Sequence, residues 1–239
     1  MSSRDLSHVR AVGFDLDGTL FDHRACADQG ILDFSALMDW SLSVSEAEAS
    51  REWHRVEDLH WDRHERHEID FHQQRTSRMR DFMDFIGVEL AAGQNYEQLF
   101  IDYLACYQAL WKPFDDLASL LDRLDQLGLP FGILTNGRES QQRGKLETMG
   151  ISERFPRMVA SSELPDAKPH PSAFEALAGA LGVGCGELLF IGDDLRKDVH
   201  GSLGVGATAV WITAREDAQA HIDERIWLVR RLGEVTAAF

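Results

Sequence analysis

Three short apolar runs in this chain stop abruptly at clusters of polar side chains, and that pattern constrains the fold more than any other feature. Val9 to Phe14 ends in Asp15-Leu16-Asp17-Gly18-Thr19, Phe131 to Leu134 runs into Thr135-Asn136-Gly137, and Leu188 to Ile191 runs into Gly192-Asp193-Asp194. A brief apolar run bounded by a turn reads as a strand buried on both faces. Such strands belong to parallel sheets, whose crossover helices cover them. Helical stretches do separate the runs. Leu117, Leu120, Leu121, Leu124 and Leu127 form an apolar stripe closed by Gly128 and Pro130. A helix is expected near Glu139 to Met149, a strand at Met158 to Ala160, a helix from Ser172 to Leu181, and further strands at Ala209 to Ile212 and Ile226 to Val229. The expectation is an α/β fold, a parallel sheet with right-handed crossovers and helices on both faces.

One stretch breaks this alternation. From Asp22 to Trp111 the chain is polar, rich in Glu, Asp, Arg, His and Trp, and without period-2 alternation. Ile31, Phe34, Leu37 and Met38 are spaced for a helix over Ala25 to Trp40, and Leu99, Tyr103 and Leu110 for one over Tyr96 to Leu110. Gly87 and Ala91-Ala92-Gly93 read as helix ends. The domain boundaries expected are therefore 1-21 with 112-239 for the sheet, and 22-111 for an all-helical insert.

Charge and cysteine content exclude several functions. A formal charge of -16 argues against nucleic acid, which is held by clustered Lys and Arg. No run of eighteen apolar residues is present, so no membrane-spanning helix is expected. The stretch Met1 to Arg10 carries Arg4, Asp5, His8 and Arg10 and no apolar signal segment. Cys26, Cys106 and Cys185 are odd in number and far apart, which fits a reducing cytoplasm better than a disulfide framework. Gly182, Gly184 and Gly186, and later Gly201, Gly204 and Gly206, lack dinucleotide-motif spacing and read as turn glycines.

In a parallel sheet the three polar clusters come out on one edge, beyond the carboxyl ends of the strands, where α/β sheets bind ligands. Asp15, Asp17, Asp193 and Asp194 would repel one another there without a cation. Hard oxygen donors with no His or Cys nearby suit Mg2+, which keeps part of its shell for water and substrate phosphate. A carboxylate can then attack phosphorus, and a second, two residues on, can handle the proton of the leaving group and of the attacking water. Donors and positive charge around the phosphoryl oxygens are also required. Thr135, Asn136 and Lys168, the last within Lys168-Pro169-His170-Pro171, would supply them.

Asp15-Leu16-Asp17-Gly18-Thr19-Leu20, Thr135-Asn136-Gly137, Lys168-Pro169 and Ile191-Gly192-Asp193-Asp194 through Asp198 resemble the four ordered motifs of the haloacid dehalogenase-like superfamily. The likeness runs from about Val9 to Ile212 and implies a Rossmann-like core, with the helical insert similar to the superfamily's cap. It implies that Asp15 is nucleophile and metal ligand, and that Asp17 is general acid/base and binds the ion through its backbone carbonyl. Thr135 and Asn136 would bind phosphate, Lys168 would neutralise the phosphoryl group and the nucleophile, and Asp193 would complete the metal shell. Asp194 reads either as a further, indirect metal contact or as a helix N-cap. Asp198 reads either as orienting Lys168 or as complementing a helix dipole.

The superfamily also contains mutases, phosphonatases and dehalogenases. Dehalogenases of this kind lack the second aspartate, because halide leaves without a proton, and phosphonatase-like members need a cap lysine; 22-111 contains none. Thr135-Asn136-Gly137-Arg138 followed by Gln142, Lys145 and Leu146 resembles nucleotide and sugar-acid phosphatases, which favours a Mg-dependent phosphohydrolase of a small phosphorylated metabolite over a sugar-phosphate mutase. A catalytically idle binding module is the alternative of another class. Arg24, Arg75 and Arg78, with Arg80 nearby, are the candidate readers of the substrate. His60 and His64 stand one helical turn apart, but His67-Glu68-Ile69-Asp70-Phe71-His72 is one residue too long for the zinc motif, so packing roles are expected for the histidines. Neither the natural substrate nor the oligomeric state is encoded in these motifs.

Overall fold

The computed structural model describes residues 5–40, 43–214, 218 and 225–239. Met1 to Arg4, part of the N-terminal stretch read above for a signal segment, lie outside the described residues. The chain forms two compact units, Met1–Asp22 with Lys112–Phe239, and His23–Trp111. After β1 (Ala11–Phe14) it runs through four helices, α1 (His23–Leu37), α2 (Glu46–Glu65), α3 (Phe71–Ile86) and α4 (Tyr96–Gln108). Then follow α5 (Leu117–Gln126), β2 (Phe131–Thr135), α6 (Glu139–Thr148), β3 (Met158–Ala160), α7 (Pro171–Leu181), β4 (Leu188–Gly192), α8 (Gly201–Gly204), β5 (Thr208–Ile212), β6 (Ile226–Val229) and α9 (Leu232–Thr236).

The six strands pair in parallel in the order β3-β2-β1-β4-β5-β6. The chain winds from β1 to one edge through β2 and β3, then returns beside β1 with β4 and winds to the other edge. The winding direction therefore reverses at β1 and β4, the crevice where α/β sheets take ligands. Phe14 is in register with Ile133 on one side and Ile191 on the other, so the three polar clusters leave the sheet at one level.

Alternation along the strands fills both faces. Ala11, Leu134, Leu188 and Phe190 pack with Phe174, Leu177 and Leu181 of α7. On the opposite face Phe14, Phe131 and Phe155 meet edge to face, with centroids 5.6 to 6.4 Å apart. The α5 stripe is buried at Leu117, Leu120, Leu121 and Leu124, but Leu127 is 42% exposed. Leu127 caps the helix, so its periodic position lies past the point where the helix has a surface to cover. A widened turn not foreseen from the sequence spans Leu195–His200, where the N–H of Val199 reaches back to the carbonyl of Asp194.

In the helical unit α1 packs on α2 and α4, and α3 packs on the same two, which closes a four-helix ring. Ser45 and Asp70 start α2 and α3 with reciprocal caps to Glu48 and Gln73. Gly87, in the left-handed conformation, ends α3. Trp53 is fully buried at the centre, its indole donating to the Tyr103 hydroxyl at 3.0 Å with Phe82 edge-on. Ile31 and Phe34 are buried as their spacing requires, whereas Leu37, the last residue of α1, is 70% exposed. Among the described residues no helix is long and apolar enough to cross a membrane.

Candidate active site

Asp15 is the first residue past β1, and its N–H bonds to the carbonyl of Ile191 at 2.8 Å, which ties the tips of β1 and β4 together. The chain then turns through Gly18 at φ +82°, where a Cβ would collide with the Asp193 carboxylate. Gly192 is constrained in the same way, since a Cβ there would overlap the side chain of Asp198. These glycines let the carboxylates crowd together. Carboxylate oxygens of Asp15, Asp193 and Asp198 lie within 4.8 Å of one another, the one such metal-competent group among the described residues.

Lys168 enters this cluster from the loop before α7. Its Nζ donates to Asp15 at 2.5 Å and to Asp198 at 2.7 Å, and all three side chains are buried. Asn136 anchors that loop with two bonds, its Nδ2 donating to the Lys168 carbonyl and its Oδ1 accepting from the Lys168 N–H, both at 2.9 Å. The second oxygen of Asp198 accepts the N–H of Asp194 at 3.0 Å. Asp194 itself takes the N-cap position, accepting the N–H groups of Arg196 and Lys197 at 2.8 and 2.7 Å. The indole of Trp211 holds the Asp193 carbonyl at 2.8 Å.

The electrostatics of the cluster are unbalanced. Burial pushes the Asp15 carboxyl up to about 7, against the pull of Lys168 and with a further push from Asp198. Burial also raises Asp193 well above the ordinary carboxylate range, reinforced by Asp15 and Asp198. The two aspartates beside Lys168 outweigh its desolvation and keep it protonated. Fully ionised, three carboxylates against one ammonium would leave two negative charges, which, added to burial, is why Asp15 and Asp193 hold their protons more tightly. An all-oxygen donor set with that deficit fits a hard divalent cation such as Mg2+.

A second cluster adjoins the first in sequence; the sequence marked Gln142 and Lys145 only as part of a subgroup resemblance and assigned them no role. The carboxylate of Asp17 does not join the three others but accepts Lys145 Nζ at 2.5 and 2.7 Å and Gln142 Nε2 at 3.0 Å. Gln142 Nε2 also donates to the Thr135 hydroxyl at 2.6 Å, and the Gly137 N–H to the same oxygen at 3.2 Å. Gln142 and Lys145, one turn apart on α6, are both buried. The signal was an inverted one, a helix whose buried positions are Gln142, Lys145 and Leu146 rather than an apolar stripe.

The candidate reader arginines belong to the helical unit. Arg24 is exposed, Arg75 lies 4.2 Å over the Phe71 ring, and Arg78 is buried over Trp53 and 2.9 Å from Glu57. His60 is buried against Asp81 at 2.7 Å, and His64 meets the Ile69 carbonyl at 3.1 Å. One helical turn apart, they go to different partners.

Residues 9–206 match the family model described as haloacid dehalogenase-like hydrolase. The chain belongs to that family. Among its relatives, the mouse N-acylneuraminate-9-phosphatase is 31% identical over 217 residues, covering 87% of this chain and 84% of that enzyme. The glyceraldehyde 3-phosphate phosphatase of Methanopyrus kandleri is 30% identical over 210 residues, covering 85% and 84%. The phosphoglycolate phosphatase of Neisseria gonorrhoeae is 26% identical, covering 87% and 81%. A magnesium-bound hydrolase of the family from Bacillus subtilis has the same fold, with a TM-score of 0.79 at 19% identity over 96% of this chain and 97% of that one. The core is therefore the Rossmann-like fold of the family, and the enzyme is a phosphoric monoester hydrolase.

Proposed function

We propose that this haloacid dehalogenase-like hydrolase dephosphorylates a small phosphorylated metabolite, with Mg2+ as cofactor and Asp15 as the nucleophile. The observation that carries this reading is the group formed by buried Asp15 and Asp198 and half-buried Asp193 around Lys168, at the β1–β4 crevice, with three carboxyls to one ammonium. Asp15 and Asp193, with the backbone carbonyl of Asp17, would hold the ion. When bound, Mg2+ would neutralise the cluster and the phosphoryl oxygens.

The chain's own residues then divide the work. An Asp15 oxygen attacks phosphorus while the ester P–O bond breaks, and the departing alkoxide takes a proton from the Asp17 carboxyl. Water then attacks the aspartyl-phosphate, its proton passing to Asp17 as the Asp15 O–P bond breaks. Lys168, aimed by Asp198 and anchored by Asn136, offsets the charge that builds up on phosphorus oxygens. The Thr135 hydroxyl donates to one of those oxygens. Asp194 serves the site indirectly, as the cap of the turn that carries Asp198.

The substrates named for the relatives, N-acylneuraminate 9-phosphate, glyceraldehyde 3-phosphate and phosphoglycolate, are alkyl phosphates. An alkoxide leaves poorly without a proton, which suits the pair Asp15 and Asp17. They also support hydrolysis over phosphoryl transfer to a second sugar hydroxyl, and a small phosphorylated sugar, sugar acid or nucleotide as the substrate class. Selection within that class is assigned to the helical insert as cap, with Arg24 and Arg75 as candidate readers; Arg78, buried against Trp53 and paired with Glu57, is committed to the insert's own packing. Cys26, Cys106 and Cys185, all free thiols, support a reducing, cytoplasmic setting.

The test is a panel of these phosphates assayed with Mg2+, beside Asp15→Asn. Phosphate release by the wild type, stopped by chelation and restored by Mg2+, is expected. Release by Asp15→Asn within about a hundredfold of wild type would overturn the nucleophile.

A further inference from the structure

Lys145 and Gln142 lie outside the four family motifs, yet they contact two of the groups on which the proposed chemistry depends. We propose that they are positioning residues, through which α6 fixes the donor direction of Thr135 and the place of the Asp17 carboxylate. The inference rests on the phosphohydrolase reading above.

Thr135 supplies the first argument. A hydroxyl has one hydrogen to donate and two lone pairs to accept with. Both lone pairs are engaged, by Gln142 Nε2 at 2.6 Å and by the Gly137 N–H at 3.2 Å. The hydroxyl hydrogen is then the one capacity left, and it is what a phosphoryl oxygen needs. The orientation of the Gln142 amide is fixed as well. Its NH2 faces the Asp17 carboxylate at 3.0 Å, where a carbonyl would be repelled. Its own Oε1 is buried without a partner. An unsatisfied buried acceptor is costly, so packing alone gives no reason to keep a glutamine there.

Asp17 supplies the second. Its side chain is 31% exposed, and a half-exposed carboxylate at a turn has rotamers to lose. Lys145, with its own side chain 5% exposed, takes both oxygens at 2.5 and 2.7 Å, and Gln142 adds a third bond. A Cβ on Gly137 would fall 2.6 Å from Gln142 Nε2 and displace the amide from this position. The same α6 face thus sets the atom that gives the proton to the alkoxide and the atom that binds the phosphoryl oxygen.

A leaving-group series on the full-length Mg2+-supplied enzyme tests this. The value of kcat/KM reports the steps through departure of the alcohol, and 2,4-dinitrophenolate, unlike an alkoxide, departs without a proton. For Lys145→Met, kcat/KM is expected to fall about a hundredfold on phosphoglycolate or glyceraldehyde 3-phosphate, whichever the wild type turns over better, and only a few-fold on 2,4-dinitrophenyl phosphate. Lys145→Arg should recover most of the loss. For Gln142→Leu, inhibition by inorganic phosphate should weaken about tenfold, through the freed Thr135 hydroxyl.

Equal losses on both esters, or phosphate inhibition unchanged in Gln142→Leu, would overturn the proposal. Circular dichroism and thermal midpoints identify a variant that has not folded, and Lys145→Arg with Gln142→Asn then carry the comparison: each must show the same ester selectivity or weakened phosphate inhibition in smaller measure, and wild-type behaviour in both overturns it. Asp15→Asn and Asp17→Asn, run alongside, separate the failures. An active Asp15→Asn rejects the phosphohydrolase mechanism itself. An inactive Asp15→Asn and an ester-selective Asp17→Asn, beside an unselective Lys145→Met, reject only the positioning role.

Discussion

Two largely enclosed acidic centres, one in each unit, handle charge in opposite ways. In the helical unit Glu57 has Arg78 at 2.9 Å, His23 at 3.5 Å and His54 at 3.7 Å. Burial opposes its ionisation, but Arg78 and the histidines prevail and hold the carboxyl well below its usual range. In the sheet unit Asp15 and Asp193 share a single ammonium with Asp198, and both carboxyls rise. The Glu57 centre is complete within the chain, whereas the Asp15 centre is short of positive charge. A protein keeps such an imbalance where something else is to supply the charge, and a divalent cation with a substrate phosphate matches it.

Neutralising one carboxylate in each centre should therefore have opposite results. The largest effect is on turnover: Asp15→Asn should lose more than about a hundredfold in phosphate release, measured with Mg2+ present. Next is Glu57→Gln, which leaves Arg78 buried without its partner and should cost about 3 kcal/mol in urea unfolding. Asp193→Asn should do the reverse in metal-free protein near pH 7, raising stability by on the order of 1 kcal/mol because it removes a repelled charge. A loss of stability in Asp193→Asn would break the comparison.

The pH dependence sharpens it further. A carboxyl raised in the folded state binds its proton more tightly there than in the unfolded chain. The Asp15 centre thus weakens the metal-free fold as pH climbs from about 4, where an unfolded aspartate titrates, to about 7. Mg2+ takes the place of that proton, so its rise in thermal midpoint should be several degrees larger near pH 8 than near pH 5. Equal rises would contradict the link. Glu57 has the opposite sign: its stabilisation is present above about pH 4.3 and fades as pH falls through its lowered value. Wild type and Glu57→Gln should accordingly converge in midpoint as the pH drops below about 4, the smallest of these effects.

How much of this was legible in the sequence varies with the kind of contact. The strands beneath the site were, because Val9 to Phe14 and Leu188 to Ile191 are apolar throughout and end in side chains that burial cannot explain. Parallel pairing then brings Asp15, Thr135 and Asp193 to one edge with no further information. The two readings of Asp194 and Asp198 could be separated only by coordinates, since each depends on where a widened turn sends its side chains; Asp194 caps and Asp198 reaches Lys168. Gln142 and Lys145 were named for their likeness to a phosphatase subgroup, but their contacts were not legible, because a polar residue on a helix ordinarily faces water and only the buried face of α6 shows otherwise. Leu37 and Leu127 erred the other way, their apolar spacing continuing to the point where each helix runs out of surface to cover.

The most direct test of the account is the site of phosphorylation during turnover. Wild-type enzyme with Mg2+, mixed with 2,4-dinitrophenyl phosphate and quenched in acid within a single turnover, should carry one phosphoryl group. Peptide mapping by mass spectrometry should place it on Asp15. A phosphoryl group on any other side chain, or an equal yield of adduct from Asp15→Asn, would contradict the assignment on which the mechanism stands.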